Sequence, residues 1–330
     1  MQTRVFGRTG REVSEIGLGT WQLGGSWGDV SEADAFATLQ AAYDGGVTFF
    51  DTADVYGDGL SERRIGEFLR RTPGARERVF VATKLGRRGD PGWPQNFTRD
   101  AVRKHTEDSL RRLSVDALDL TQLHCVPTDV LMRGELFGWL DELQREGKLR
   151  AYGASVESME EAVYCVRDGR VAALQIIFNL FRQKPVETLF APAREAQVAL
   201  IVRLPLASGL LSGRMTKETT FAPDDHRNFN RDGQAFNVGE TFAGLPFDRA
   251  VELVDQLRPW VPAGMSMAEF AIRWCLDFAE VSVIIPGARN ADQARRNLKP
   301  SSLPPLSPAL HERLKEFYRS SVAAHIRGPY

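Results

Sequence analysis

Cysteine is scarce in this chain of 330 residues: Cys125, Cys165 and Cys275 are widely separated, odd in number and never set at metal-ligand spacing. That pattern fits a reducing compartment better than a disulfide framework. Histidine is sparse as well, and the five residues His105, His124, His226, His311 and His325 form no ligand pair at helical spacing, so no metal centre is expected. Long apolar runs are missing, and the opening "MQTRVFGRTG" has no apolar stretch of the signal-peptide kind. Lys/Arg runs are missing too, and with a formal net charge of -1 neither nucleic acid nor an anionic membrane is indicated as the main partner. The expectation is a soluble cytoplasmic protein that works on a small molecule.

What is present is an alternation of apolar patterns. With 43% apolar residues the chain holds ample core formers for a large α/β domain. Strand-like runs occur at 13–21, 47–51, 79–84, 118–124, 149–155, 173–178, 199–205 and 281–285. Helical stripes lie between them. One starts at Ser31, where Asp34 completes an N-terminal box, carries Phe36, Leu39 and Tyr43 at helical spacing, and stops at Gly45 and Gly46. Others start at Ser61 and Thr98, and further ones cover about 130–146, 158–167, 187–196 and 290–298. Eight strands alternating with helices, undivided by any Pro/Gly/Ser linker, are the count of a closed (β/α)8 TIM barrel spanning residues 1–330 as one domain. A doubly wound open sheet is the rival, but "GLGTWQLGG" supplies no G-x-G-x-x-G, and in "GDGLSE" Glu62 takes the third glycine's place.

One connection breaks the rhythm. From about Gly213 to Asp248 the chain is polar and aperiodic yet holds Phe221, Phe229, Phe236, Phe242 and Phe247, which suggests a long loop of the C-terminal face that packs as a lid. The tail beyond Pro300 is a second potential cover.

In such barrels the chemistry sits at the C-terminal ends of the strands. Those ends deliver Asp51, Lys84, His124, Ser155 and Arg203, with Tyr56 in the loop just past Asp51. Each has an ordinary structural reading on its own, as turn former, rim charge or hydrogen-bonded core residue. Together they suggest acid chemistry. A phenol has a reference pKa near about 10 and protonates an alkoxide at neutral pH only with a cation beside it. Lys84 is that cation, Asp51 holds it in place, and His124 orients a carbonyl oxygen or shares the proton. Nucleophilic serine chemistry would want a G-x-S-x-G elbow, which is lacking.

The ordered set "GLGTWQLGG", "FFDTADVYGDGLSERRIGEFL", "VATKLG", "LRRLSVDALDLTQLH", "GKLRAYGAS", "PLASGLLSGR" and "IPGARNADQARRNL" runs almost end to end and resembles the aldo-keto reductase family. The resemblance implies a (β/α)8 barrel and reversible hydride transfer between a nicotinamide cofactor, usually NADPH, and an aldehyde or ketone. It implies a catalytic tetrad of Asp51, Tyr56, Lys84 and His124, with Tyr56 as proton donor. Ser155 and Gln175 match positions that hold the nicotinamide carboxamide, and Thr20, Trp21, Asp51 and Arg203 border the same cofactor. The segment Pro205 to Arg214 matches a pyrophosphate loop, bringing in Pro205, Leu206, Ser208, Leu210, Ser212 and Arg214. Gly287, Arg289, Gln293 and Asn297 match the adenosine end, where a guanidinium favours the 2'-phosphate of NADPH over NADH.

Three positions depart from the family pattern. Val156 stands where many relatives carry Asn, Arg203 where many carry an aromatic, and Gly287 where some carry Lys. They bear on cofactor affinity and preference. Trp21, Trp27 and Trp93 are the expected walls of a substrate pocket that also holds Tyr56 and His124. The leading expectation is an NADPH-dependent carbonyl reductase. A nicotinamide-binding regulatory subunit with little turnover is the alternative, and a cofactor-free barrel lyase or isomerase is a third reading.

Overall fold

The computed structural model describes residues 1–24 and 30–330. Eight parallel strands run in the order of the chain: β3 (Leu18–Gly19), β4 (Phe49–Asp51), β5 (Phe80–Leu85), β6 (Leu120–His124), β7 (Tyr152–Ser155), β8 (Ala173–Ile177), β9 (Ala199–Arg203) and β10 (Val281–Ile284). Bridges between Ile16 and Ile284 and between Gly19 and Gly287 join the last strand to the first, so the sheet closes on itself. This is the expected (β/α)8 barrel.

Period-two alternation explains what each strand does. Phe49, Phe80, Ala82, Leu120, Ala151, Ala173, Ala199, Ile201 and Val283 form the buried barrel interior. Two residues further along each strand, on the same inward side, the sequence turns polar: Asp51, Lys84, Gln122, Gln175 and Arg203. The other side chains of each strand join a larger core under the helices, with Phe50, Val81, Leu123, Ala154, Leu174 and Val202 among them.

The helices begin where the sequence signals them. Ser31 Oγ accepts from Asp34 N at 3.0 Å ahead of helix Glu32–Asp44, and Thr98 Oγ1 accepts from Ala101 N at 3.3 Å ahead of Arg99–Leu113. Ser158 and Glu161 form a reciprocal capping box for Met159–Asp168.

Three expected elements differ in detail. The run 13–21 is not one strand: Glu12–Ser14, here β2, pairs antiparallel with β1 (Thr3–Val5), and only Leu18–Gly19 enters the barrel. The hairpin carries Phe6 and Val13 into the barrel bottom, an arrangement that a continuous apolar run hides. The helix expected at 130–146 is two, Thr128–Met132 and Glu135–Arg145, separated at Gly134 with φ 76°. The helix at 187–196 likewise divides into Lys184–Thr188 and Phe190–Glu195.

The excursion from 213 is ordered by short turns, including His226–Phe229 and Val238–Glu240, before helix Phe247–Leu257. Its aromatics do pack: Phe242 lies 5.7 Å from Phe221 and 4.8 Å from Phe247 between ring centroids. No helix among the described residues is long and apolar enough to cross a membrane.

Candidate active site

At the C-terminal mouth of the barrel Lys84 is the hub. Its Nζ donates to Asp51 Oδ1 at 2.6 Å, to the Thr52 carbonyl at 2.8 Å and to Tyr56 Oη at 3.3 Å. The lysine is 1% exposed. Burial opposes its charge, but Asp51 and Tyr56 outweigh burial and hold its pKa above the ordinary lysine value. Asp51 Oδ2 in turn accepts from Gln175 Nε2 at 2.8 Å and Gln122 Nε2 at 3.4 Å. A buried carboxylate with donors on both oxygens is thereby fixed in place.

Tyr56 is brought in by a loop that closes against the turn Trp21–Gly24. Gly57, with φ +60°, sits so near Gly24 that an added Cβ would lie 1.9 Å from the Gly24 carbonyl oxygen, so only glycine fits there. Burial raises the Tyr56 pKa, and Lys84 pulls against it without reversing it; the resting side chain is a neutral phenol. His124 faces it with ring centroids 6.2 Å apart. Burial first, then Arg87, Lys84 and Arg203, hold His124 well below the usual imidazole range, so it too is neutral. Its Nδ1 is buried and has no hydrogen-bond partner among the described residues.

Asp51, Tyr56 and His124 open into a cavity of about 630 Å³ that also takes in Thr20, Trp21, Ser155, Gln175 and Arg203. Pro205, Leu206 and Ser208 line it from the loop after β9, and Gly287 and Gln293 from beyond β10. Thr20 Oγ1 is committed to the Asp51 carbonyl, 2.8 Å away. Gln175 reaches the cavity, but its amide nitrogen is the donor that holds Asp51. Leu210 has its side chain in the core, and Ser212, Arg214, Arg289 and Asn297 lie outside the cavity lining. Asn297 Nδ2 donates to the Gly287 carbonyl at 3.0 Å and thereby holds that edge. Trp93 lines the wall, half-exposed, its Nε1 donating to the Cys125 carbonyl at 2.9 Å. Trp27 lies outside the described residues.

Sequence reasoning missed a charged group on the far wall. Arg87 pairs with Glu157 at 3.1 Å and with Glu240 at 3.4 Å, and Glu240 also pairs with Arg203 at 3.3 Å. Arg203 donates further to the Val156 carbonyl at 3.3 Å. Burial alone would raise Glu240, yet Arg203 and Arg87 hold it below the ordinary carboxylate range. Burial and the neighbouring Glu240 push Glu157 up. Arg87 and Glu157 follow strand ends within three residues of Lys84 and Ser155, and that position was their signal. Glu240 comes from the excursion, and nothing local in the sequence marks it.

Cys125, Glu157 and Glu240 place three ligand-type atoms within 4.8 Å of one another. Both carboxylates are already paired with guanidinium groups, and burial pushes the Cys125 thiol up to about 12, so the cluster reads as an ion-pair network.

The profile of the Aldo/keto reductase family matches residues 15–319. The chain is 34% identical over 299 residues to the aldo-keto reductase YhdN of Bacillus subtilis (strain 168), covering 89% of this chain and 86% of that protein. It is 28% identical to a probable voltage-gated potassium channel subunit beta of Arabidopsis thaliana, with 97% of each chain covered. Among solved structures, the holo form of the aldo-keto reductase AKR11C1 from Bacillus halodurans superposes with a TM-score of 0.78 at 26% identity, covering 96% of both chains.

Proposed function

The chain belongs to the aldo/keto reductase family, and on that premise we propose that it reduces aldehydes or ketones to alcohols with NADPH, reversibly, Tyr56 acting as the general acid and base. The observation that carries this reading is Lys84 Nζ, placed between Asp51 at 2.6 Å and Tyr56 Oη at 3.3 Å. A phenol loses its proton to a developing alkoxide at neutral pH only if the phenolate left behind meets a positive charge, and Lys84 supplies it. Neutral His124 offers a ring N–H to the same substrate oxygen without adding a charge that would compete for the phenol's proton. Trp21, Trp93, Tyr56 and His124 form the walls against which the carbonyl compound packs, and residues 213–248 are the lid.

The cavity fits a nicotinamide cofactor. Arg203 Nε and His124 Nδ1 are buried polar atoms without hydrogen-bond partners among the described residues, and Gly287 keeps the far end open, since an added Cβ there would lie 2.3 Å from the Gln22 amide. When bound, the cofactor supplies the hydride. Ser155, Gln175 and Arg203 would hold its nicotinamide end, the Pro205–Arg214 loop its pyrophosphate, and Gln293 with Arg289 its adenosine end. Arg289 is exposed just ahead of helix Ala291–Leu298 and meets no carboxylate among the described residues, which favours NADPH through its 2'-phosphate. The three free, buried cysteines suit a cytoplasmic location.

Consumption of NADPH and, separately, NADH across a panel of aldehydes, ketones and sugars tests the reading, with Tyr56→Phe alongside the parent. The expected outcome is turnover that falls by about 10²–10⁴-fold in the variant while cofactor affinity is kept. Tight NADPH binding without turnover in either direction would instead favour a regulatory subunit, a reading to which the similarity to a potassium channel beta subunit lends support.

A further inference from the structure

The opposite end of the barrel holds a second cavity, of about 770 Å³, built where the strands begin. Five guanidinium groups line it: Arg8 and Arg11 from the turn of the β1–β2 hairpin, Arg76 just before β5, Arg150 before β7, and Arg170 before β8. Among the described residues only Glu77 and Asp119 bring opposite charge into the lining.

The partners of these arginines show where charge is left over. Arg8 donates to the Gly169 carbonyl at 2.5 Å and the Ala196 carbonyl at 2.9 Å, and Arg11 donates to the Glu77 carbonyl at 2.5 Å. Carbonyls fix a guanidinium in place without neutralising it, and among the described residues neither arginine meets a carboxylate. Arg76 and Arg150 share one acid, Asp119, at 3.1 and 3.5 Å. Arg170 alone is balanced, by Asp168 at 2.7 Å and Asp141 at 3.6 Å. The floor is apolar and aromatic, formed by Phe80, Ala151 and Tyr152.

A barrel bottom is ordinarily concerned with stability, and crowding like charges around a concave surface opposes stability. Guanidinium groups held by carbonyls with their charge uncompensated are pre-organised for planar, bidentate contact with phosphate. The cavity's volume falls in the range of small-molecule sites.

We propose that this cavity is a second binding site, for a small organic phosphate carrying at least two phosphoryl charges and a compact ring for the aromatic floor. The site is separate from the mouth of the barrel and does not depend on the reaction proposed there.

The test is calorimetric titration of the full chain with pyrophosphate, ADP and adenosine, each with and without saturating NADPH, in the parent and in Arg11→Gln/Arg150→Gln. Both substituted side chains are exposed, Arg150 by 63%. The expected result is one ADP per chain with NADPH already present, pyrophosphate weaker, adenosine undetectable, and affinity reduced about tenfold or more in the variant and by added salt. In the parent, ADP would also protect Arg11 and Arg150 from modification by phenylglyoxal, a readout independent of how the variant folds. Absence of ADP and pyrophosphate binding, binding equal in parent and variant, binding of adenosine as tight as that of ADP, or loss of all binding once NADPH is present would each overturn the proposal.

Discussion

Lys84 and Asp51 are both almost wholly buried, 2.6 Å apart, and neither charge is tolerable without the other. Lys84→Met leaves Asp51 with hydrogen bonds from Gln175 and Gln122 and no countercharge. A loss of about 3–5 kcal/mol is the expected cost of such a broken buried pair. Adding Asp51→Asn should restore much of that stability without restoring turnover, because the phenol still lacks its cation. Urea denaturation of the two single variants and the double variant, set beside their rates, separates the two roles. A full, additive loss of stability in the double variant would show that the pair is not energetically coupled. His124 gives a second residue-scale expectation. Its folded pKa is depressed, so below an unfolded value near about 6.5 the unfolded chain takes up a proton that the folded chain refuses. Its contribution is intact above that pH and is lost as pH falls, at no more than about 1.4 kcal/mol per pH unit. The acid side of the stability profile should flatten in His124→Gln.

Among the elements, the excursion after β9 is tied to the barrel through Glu240. Its carboxylate meets Arg87 and Arg203, and its carbonyl accepts from Ser208 Oγ at 2.9 Å. Trp21, from the turn after β3, packs on His226 and Phe236 of the same segment, with ring centroids 5.0 and 6.4 Å apart. Glu240→Gln removes the charge while keeping the shape, leaving Arg87 and Arg203 in mutual repulsion with Glu157 as the remaining acid. Amide hydrogen exchange across 226–243 should then rise by about tenfold, while the strands β4 to β6 keep their protection. Unchanged exchange would mean that the aromatics alone hold the segment down. These elements also show what the sequence makes legible. Asp51, Lys84 and His124 could be read because each ends an apolar run, and period-two alternation aims them inward with their lower neighbours Phe49, Ala82 and Leu120. Gln122 was open to the same reading, two residues before His124, and its bond to Asp51 is the consequence. Glu240 was not, because its partners lie far away in sequence and its own surroundings are polar. The hairpin was not legible either, since nothing in "VSEIGLG" marks where one strand stops and the next begins.

At the scale of the whole molecule the barrel sets an aromatic bottom apart from a polar mouth along its axis. Phe6 plugs the bottom, its ring 5.3 Å from Phe49 and 5.2 Å from Phe80 between centroids, and it is fully buried. The small interior residues Ala82, Ala173 and Ala199 belong to the same buried cluster, and the polar mouth lies further along the strands. Truncating the plug should therefore weaken the barrel without disturbing Lys84, whose ammonium is held by Asp51, Thr52 and Tyr56. For Phe6→Ala a loss of about 3–5 kcal/mol is expected from the cavity left behind. Turnover at a temperature where the variant remains folded should stay within about twofold of the parent, because the residues proposed to carry the chemistry lie at the mouth. Denaturant midpoints and initial rates on one preparation measure both. A large fall in rate at full foldedness would show that the bottom layer positions the mouth, for which the simplest route is β4, whose three residues run directly from Phe49 to Asp51.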